Sequence, residues 1–122
     1  MKLEDLKVYK ISMELGNRIW KIVNNWKYFD KDTIGKQLIR SCDSVAANLS
    51  EGFGRFHFND SKKFAYYSRG SLFETKTWIN KASERSLISE EDFKELMNDL
   101  DILGVKLNNY INSIGKDIPG NK

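Results

Sequence analysis

A single histidine, a single cysteine and a single proline are all that this sequence offers of the residues that most often carry chemistry or interrupt a helix. Helical bundles that hold two metal ions do so with inward Glu residues and Glu-x-x-His pairs. No Glu-x-x-His occurs here, and the one imidazole, His57, falls in a loop-like segment, which excludes a ferritin-like di-metal centre. Any Ser or Cys nucleophile would have His57 as its only imidazole base. Cys42 has no partner for an internal disulfide and no histidine near it in sequence, so it reads as a small buried hydrophobe rather than an activated thiol. No G-x-x-x-x-G-K-[ST] is present, and Gly52-Phe53-Gly54-Arg55 follows a helical pattern instead of a strand, so these glycines read as backbone devices and not as a phosphate cradle. No run approaches the ~18–20 apolar residues of a membrane span, and MKLEDLKVYK lacks the apolar core and cleavage site of a signal peptide. These absences predict a non-enzymatic cytoplasmic protein with no cofactor, no metal and no membrane association.

What is present suits one soluble domain. With 30% charged and 40% hydrophobic residues in 122, the chain can build one compact core over residues 1–122. Its net charge of +3 is unevenly spread, at +4 over residues 1–40, +2 over 41–88 and −3 over 89–122. The first two thirds face an anion more readily than the last.

Hydrophobic spacing and punctuation predict an all-α fold of four helices, at about 5–26, 33–51, 60–85 and 89–114, with a flexible tail at 115–122. In the first, N-capped by Asp5, Val8, Ile11, Leu15, Ile19, Ile22 and Trp26 form the core stripe. Tyr9, Met13, Gly16 and Trp20 form a second row, about 80° to 140° around from Val8. One neighbouring helix cannot cover both rows, so either this helix sits deep between its partners or the second row meets another subunit. The second helix follows a YFDKD connection and stops at Glu51, before Gly52 and Gly54. Beyond the loop GFGRFHFND, the third has an inner face of Phe64, Tyr67, Ser71, Leu72, Thr75, Trp78, Ile79 and Ala82. The fourth starts at Ser89 with an acidic first turn and buries Phe93, Leu96, Met97, Leu100, Leu103, Leu107, Ile111 and Ile114. Short connections make an up-down four-helix bundle the economical architecture.

The segment Gln37 to Arg55 has two faces. Leu38, Cys42, Val45 and Leu49 form an apolar side, whereas Arg40, Ser44, Asn48, Glu51 and Arg55 fall within about 80° of one another as a polar stripe. Burial explains the first face and not the second. On the third helix, Arg69 points outward, flanked at helical spacing by Lys62, Tyr66, Phe73 and Lys76. Glu51 and Glu74 are two acids on neighbouring helices, and with Arg40, Arg55 and Arg69 at hand they read as ion-pair partners rather than a general acid and base.

These residues resemble a known family. Leu6-Lys7-Val8-Tyr9, the Gln37 to Arg55 stretch, Arg69-Gly70-Ser71-Leu72 with Glu74 and the spacing of the last helix are similar to those of the bacterial four helix bundle proteins, often encoded in intervening sequences inside 23S ribosomal RNA genes. The similarity runs over about residues 3–114, and its most specific pieces are Ser44 to Arg55 and Arg69-Gly70-Ser71. The resemblance implies a bundle that assembles into a ring-like homopentamer. It also brings in a relative of similar fold, the accessory protein of diversity-generating retroelements, which works with a reverse transcriptase and nucleic acid. The sequence departs from the family pattern at Ala46, where many members carry Pro, and without it the helix continues unkinked.

Two functions follow as expectations. In the first, the protein is a self-assembling, nucleic-acid-associated bundle, RNA ahead of DNA, in which Lys62, Arg69, Lys76, Arg40 and Arg55 neutralise phosphates while Tyr66 or Phe73 offers a stacking face. In the second, it is a protein-interaction scaffold in which the same residues, with Tyr9, Met13 and Trp20, make subunit or partner contacts. The bland alternative is that Arg40, Glu51, Arg55, Arg69 and Glu74 only form an inter-helix ion-pair network, which contributes ~0 to 1 kcal/mol per exposed pair.

Overall fold

The computed structural model describes residues 1–116. Among these residues there are four long helices and no strand: α1 (Lys7–Asn24), α2 (Lys36–Phe53), α3 (Phe58–Glu84) and α4 (Glu90–Ser113). Neighbouring helices run antiparallel, as residue pairings show. Ser41 meets Thr75 and Gly52 meets Ser61 between α2 and α3, while Arg69 meets Asn108 and Lys76 meets Asp101 between α3 and α4. Arg18 of α1 reaches Asp92, Glu95 and Asp99 of α4, which closes the bundle.

The core is contributed by every helix at three- and four-residue spacing. Leu15, Ile19 and Val23 of α1 meet Leu38, Val45 and Leu49 of α2, Leu72 and Ile79 of α3, and Leu96, Leu100, Leu103, Leu107 and Ile111 of α4. Each large side chain buried in this way stabilises the fold by about 1.5–3 kcal/mol. Ser89 caps α4, its hydroxyl accepting the Asp92 N–H at 3.0 Å.

Three boundaries differ from the sequence expectation, each for a local reason. Asp5 does not cap α1: it ends a short 3-10 turn (Leu3–Asp5), its carboxylate accepts the Lys2 backbone N–H at 3.1 Å, and the buried Leu6 stands at the cap position. The YFDKD segment is helical rather than a connection. A turn at Tyr28–Asp30 passes into a π-helical turn at Lys31–Gly35, fastened by Thr33 Oγ1 donating to the Phe29 carbonyl at 2.7 Å, and continues into α2. This wider turn carries Ile34 and Gly35 into buried positions. At the other end α2 runs past Gly52 to Phe53, and Gly52 acts as a spacer. A Cβ there would lie 2.9 Å from Phe64 Cβ and 3.0 Å from the Ser61 carbonyl oxygen, so only hydrogen lets α3 approach so closely. The part of the expected tail beyond Lys116 lies outside the described residues.

The inner face of α3 is also different. Its buried stripe is Ser61, Ala65, Ser68, Leu72, Thr75, Ile79 and Ala82, whereas Tyr67 is 48% exposed and Phe64 and Trp78 are half-buried. The buried hydroxyls are satisfied across the seam with α2: Ser61 Oγ donates to the Gly52 carbonyl, Ser68 Oγ to the Val45 carbonyl, both at 2.8 Å, and Thr75 Oγ1 lies 3.0 Å from Ser41 Oγ. Small residues bring the two backbones close, and the close backbones give each hydroxyl an acceptor. The aromatic side chains are thereby left for the outside.

Candidate nucleic-acid interface

The polar stripe of α2 is held together by its own helix. Ser44 Oγ donates to the Arg40 carbonyl at 2.8 Å, Asn48 Nδ2 donates to the Ser44 carbonyl at 2.9 Å, and Arg55 pairs with Glu51 at 2.5 Å. Each bond spans four residues, the distance at which a short polar side chain reaches back to the preceding turn. The expected network linking this stripe to Arg69 and Glu74 does not form within the subunit. Glu74 accepts the Trp78 indole N–H at 3.0 Å, and Arg69 reaches Asn108 of α4 at 3.2 Å. The guanidinium of Arg40 has no ion-pair partner among the described residues.

The α2 stripe and the Arg69, Phe73 and Lys76 group therefore lie on two separate surfaces. Arg40, Ser44, Asn48, Glu51 and Arg55 line the outer edge of α2, joined to α3 where the Arg55 guanidinium lies 4.8 Å from the centre of the Phe64 ring. Arg69, Phe73 and Lys76 lie where α3 adjoins α4. There Arg69 bonds Asn108, Lys76 pairs with Asp101 at 2.8 Å, and Phe73, 59% exposed, stands between them. The cations also cover aromatic rings, Arg69 over Tyr66 at 4.8 Å and Lys76 over Phe73 at 5.2 Å.

Partners decide how much of each positive charge remains for a ligand. Arg55 and Lys76 are paired with carboxylates. Arg69 has a neutral partner in Asn108, and Lys62 and Lys63 have no ion pair among the described residues. The uncompensated charge on α3 thus gathers in its N-terminal half. Beside it lies a shallow concavity of about 410 Å³ lined by Asn59, Lys62, Lys63, Tyr66 and Tyr67. Asn59 and Lys63 carry no expectation from the sequence, and Tyr67, expected on the inner face, lies on this outer one. The signal was available, since 59, 63, 66 and 70 share one helical face, but assigning Tyr67 to the core concealed it.

The second row of α1 is split. Gly16 is covered by α2, with a Cβ there falling 2.7 Å from Asp43 Oδ1. Tyr9 is half-buried, Met13 is exposed, and Trp20 is 57% exposed. Tyr9 and Met13 join Asp43, Ala46 and Ala47 around a groove of about 350 Å³ between α1 and α2. Loss of water around the Asp43 carboxyl, pressed against the Gly16 backbone, raises its pKa above the usual carboxylate value, although the residue as a whole is exposed. Burial, with the Asp43 charge as a smaller cause, pushes the Cys42 thiol up to about 12, a value at which no thiolate forms near neutrality. Among the described residues no three His, Cys, Asp or Glu side chains gather to hold a metal ion, and no helix is long and apolar enough to cross a membrane.

Fold and surface together define a four-helix bundle whose distinctive side chains form cationic and aromatic outer faces. The chain belongs to the 23S rRNA-intervening sequence protein family, whose model matches residues 4–109. Among solved structures it is similar to a protein of unknown function from the S23 ribosomal protein family of Bacteroides thetaiotaomicron, with a TM-score of 0.77 and 22% identity over 85% of this chain and 97% of that one. At this identity the likeness concerns the fold. No curated protein matches the sequence.

Proposed function

We propose that the protein is a non-enzymatic, self-assembling bundle that associates with nucleic acid in the cytoplasm, RNA ahead of DNA. The observation that carries this is the uncompensated charge of Lys62, Lys63 and Arg69 interleaved with the exposed rings of Tyr66 and Tyr67. Cations without acidic partners neutralise phosphates without first breaking an ion pair. RNA is put ahead of DNA by the genomic setting that the resemblance suggests, intervening sequences inside 23S ribosomal RNA genes. With a net charge of +3 one subunit binds weakly, and a ring of five, which family resemblance supplies, would repeat the patch and add avidity. The test is RNA and DNA binding by fluorescence anisotropy at about 50 and 200 mM salt. Affinity should fall steeply with salt and weaken in a Lys62→Ala, Lys63→Ala, Arg69→Ala variant. Absence of binding at low salt would overturn the proposal.

A second function, a protein-interaction scaffold, is favoured by Phe73 and Trp20, large exposed side chains outside the cationic concavity. Phe73 lies between the Arg69–Asn108 and Lys76–Asp101 bridges, an aromatic anchor with a polar rim. Loss of the oligomer in Phe73→Glu or Trp20→Glu, with helicity retained, would support subunit contacts there. A monomer by light scattering at micromolar concentration would overturn self-assembly.

A further inference from the structure

We infer that the outward face of α3 between Asn59 and Gly70 is a seat for an unpaired base, so that the ligand class is a single-stranded polynucleotide; this rests on the nucleic-acid function proposed above. Two independent observations meet on this face. The first is the concavity itself, in which Tyr66 and Tyr67 are consecutive and diverge by about 100° around the helix, so that their rings form two walls. Each ring carries a cation over one of its faces: Arg69 lies 4.8 Å from the Tyr66 ring centre and the Lys63 ammonium 6.0 Å from that of Tyr67. Tyr67 is further buttressed by Phe64, which meets it edge-on at 5.5 Å. A base stacking on the opposite face of either half-exposed ring would have a phosphate-binding charge within one ring's thickness, the combination that single-strand binding surfaces use.

The second observation is Gly70. It lies one turn beyond Tyr66 and Tyr67, and a Cβ built on it meets nothing within 4 Å. No contact inside the subunit excludes a side chain there, and glycine in a helix interior costs about 1 kcal/mol relative to alanine. The missing side chain extends the open face between the rings by a further turn, leaving bare backbone against which a flat group can lie. Asn59 at the opposite end has no side-chain hydrogen bond among the described residues and can address a base edge or a ribose hydroxyl. Glu74, held by Trp78, places a negative charge one turn past Gly70 and limits the strand in that direction. A duplex presents its phosphates but keeps its ring faces stacked, so only an unpaired strand uses the walls.

The experiment compares a short single-stranded RNA, the single-stranded DNA of the same sequence and the RNA duplex by anisotropy on the full chain at low salt. Single strands should bind about tenfold more tightly than the duplex. Tyr66→Leu with Tyr67→Leu should remove that preference and leave the salt dependence in place. Gly70→Leu should do the same by filling the trough, with helicity and melting temperature unchanged or raised, so that its effect cannot be attributed to unfolding. Equal binding of the two single strands supports a seat for the base alone, and tighter RNA binding supports an added ribose contact. A duplex bound as tightly as the single strands, or single-strand affinity unaffected by the Tyr66, Tyr67 and Gly70 variants, overturns the base seat while leaving the phosphate-binding function standing. Failure of every polynucleotide to bind overturns both.

Discussion

Ser68, wholly buried on α3, donates its hydroxyl to the Val45 carbonyl of α2 at 2.8 Å. The acceptor is a backbone oxygen in mid-helix, reachable only because small residues keep the two helices close. Ser68→Ala should therefore cost about 0.5–1.5 kcal/mol. Ser68→Val should cost more, since its added methyl must enter a seam that is already full. Urea denaturation with an unchanged slope checks both, and a valine variant as stable as the parent would show that the seam is loose.

Gly52 and Gly70 predict opposite signs for the same substitution. At Gly52 a Cβ meets Phe64 Cβ at 2.9 Å, and overpacking of about 1–3 kcal/mol outweighs the gain in helix propensity, so Gly52→Ala should lower the melting temperature. At Gly70 nothing opposes the new methyl, and Gly70→Ala should stabilise by about 1 kcal/mol. Thermal melts of the pair decide the matter, because propensity alone predicts stabilisation at both.

Asp43 makes stability depend on pH in the sense opposite to a salt-bridged carboxylate. Its folded-state pKa is raised by desolvation, so its protonated form favours the fold. That contribution is complete below the ordinary carboxylate pKa and is lost as pH rises through the raised one. Asp43→Asn should therefore gain on the parent in melting temperature between acid and neutral pH. A gap that stays constant over that range would contradict the shift.

Cys42 should be silent towards a thiol reagent at mildly alkaline pH while the bundle is folded, because it is buried and its thiol is pushed up to about 12. Its labelling rate should follow global unfolding as denaturant is added. Rapid labelling of the native protein would mean that α2 opens locally.

Regular hydrophobic spacing made α1 and α4 legible in the sequence, together with the Ser89 cap, because long aliphatic side chains at three- and four-residue intervals have one physical explanation. The face of α3 was less legible. The expected inner face includes Tyr67 and leaves out Ser61 and Ser68, whereas the seam reverses them: a serine whose hydroxyl finds a carbonyl can be buried at little cost, and its small volume is what the close helices need. The π turn at Lys31–Gly35 was hidden for a related reason, since YFDKD is polar enough to resemble a loop and only the packing of Ile34 and Gly35 shows where its phase changes. For the candidate site, the sequence identified Arg40, Arg55, Lys62, Arg69 and Lys76 as cations of interest but could not tell which had carboxylate partners. Ion pairs such as Lys76–Asp101 join residues distant in the chain, and so only the fold sorts charges that are available from those already engaged.

The Arg18 contacts bear on how a ligand would arrive. By drawing Asp92, Glu95 and Asp99 together, Arg18 fixes the acidic start of α4 at one end of the bundle. The open cations of α3 are at the other end, since Arg69 stands opposite Asn108, about 20 Å along α4 from Glu95 at the helical rise per residue. The three carboxylates held by Arg18 and the open cations of α3 are thus kept apart along the bundle. A polyanion approaching those cations would be spared the repulsion of these three carboxylates, which Arg18 gathers at the far end.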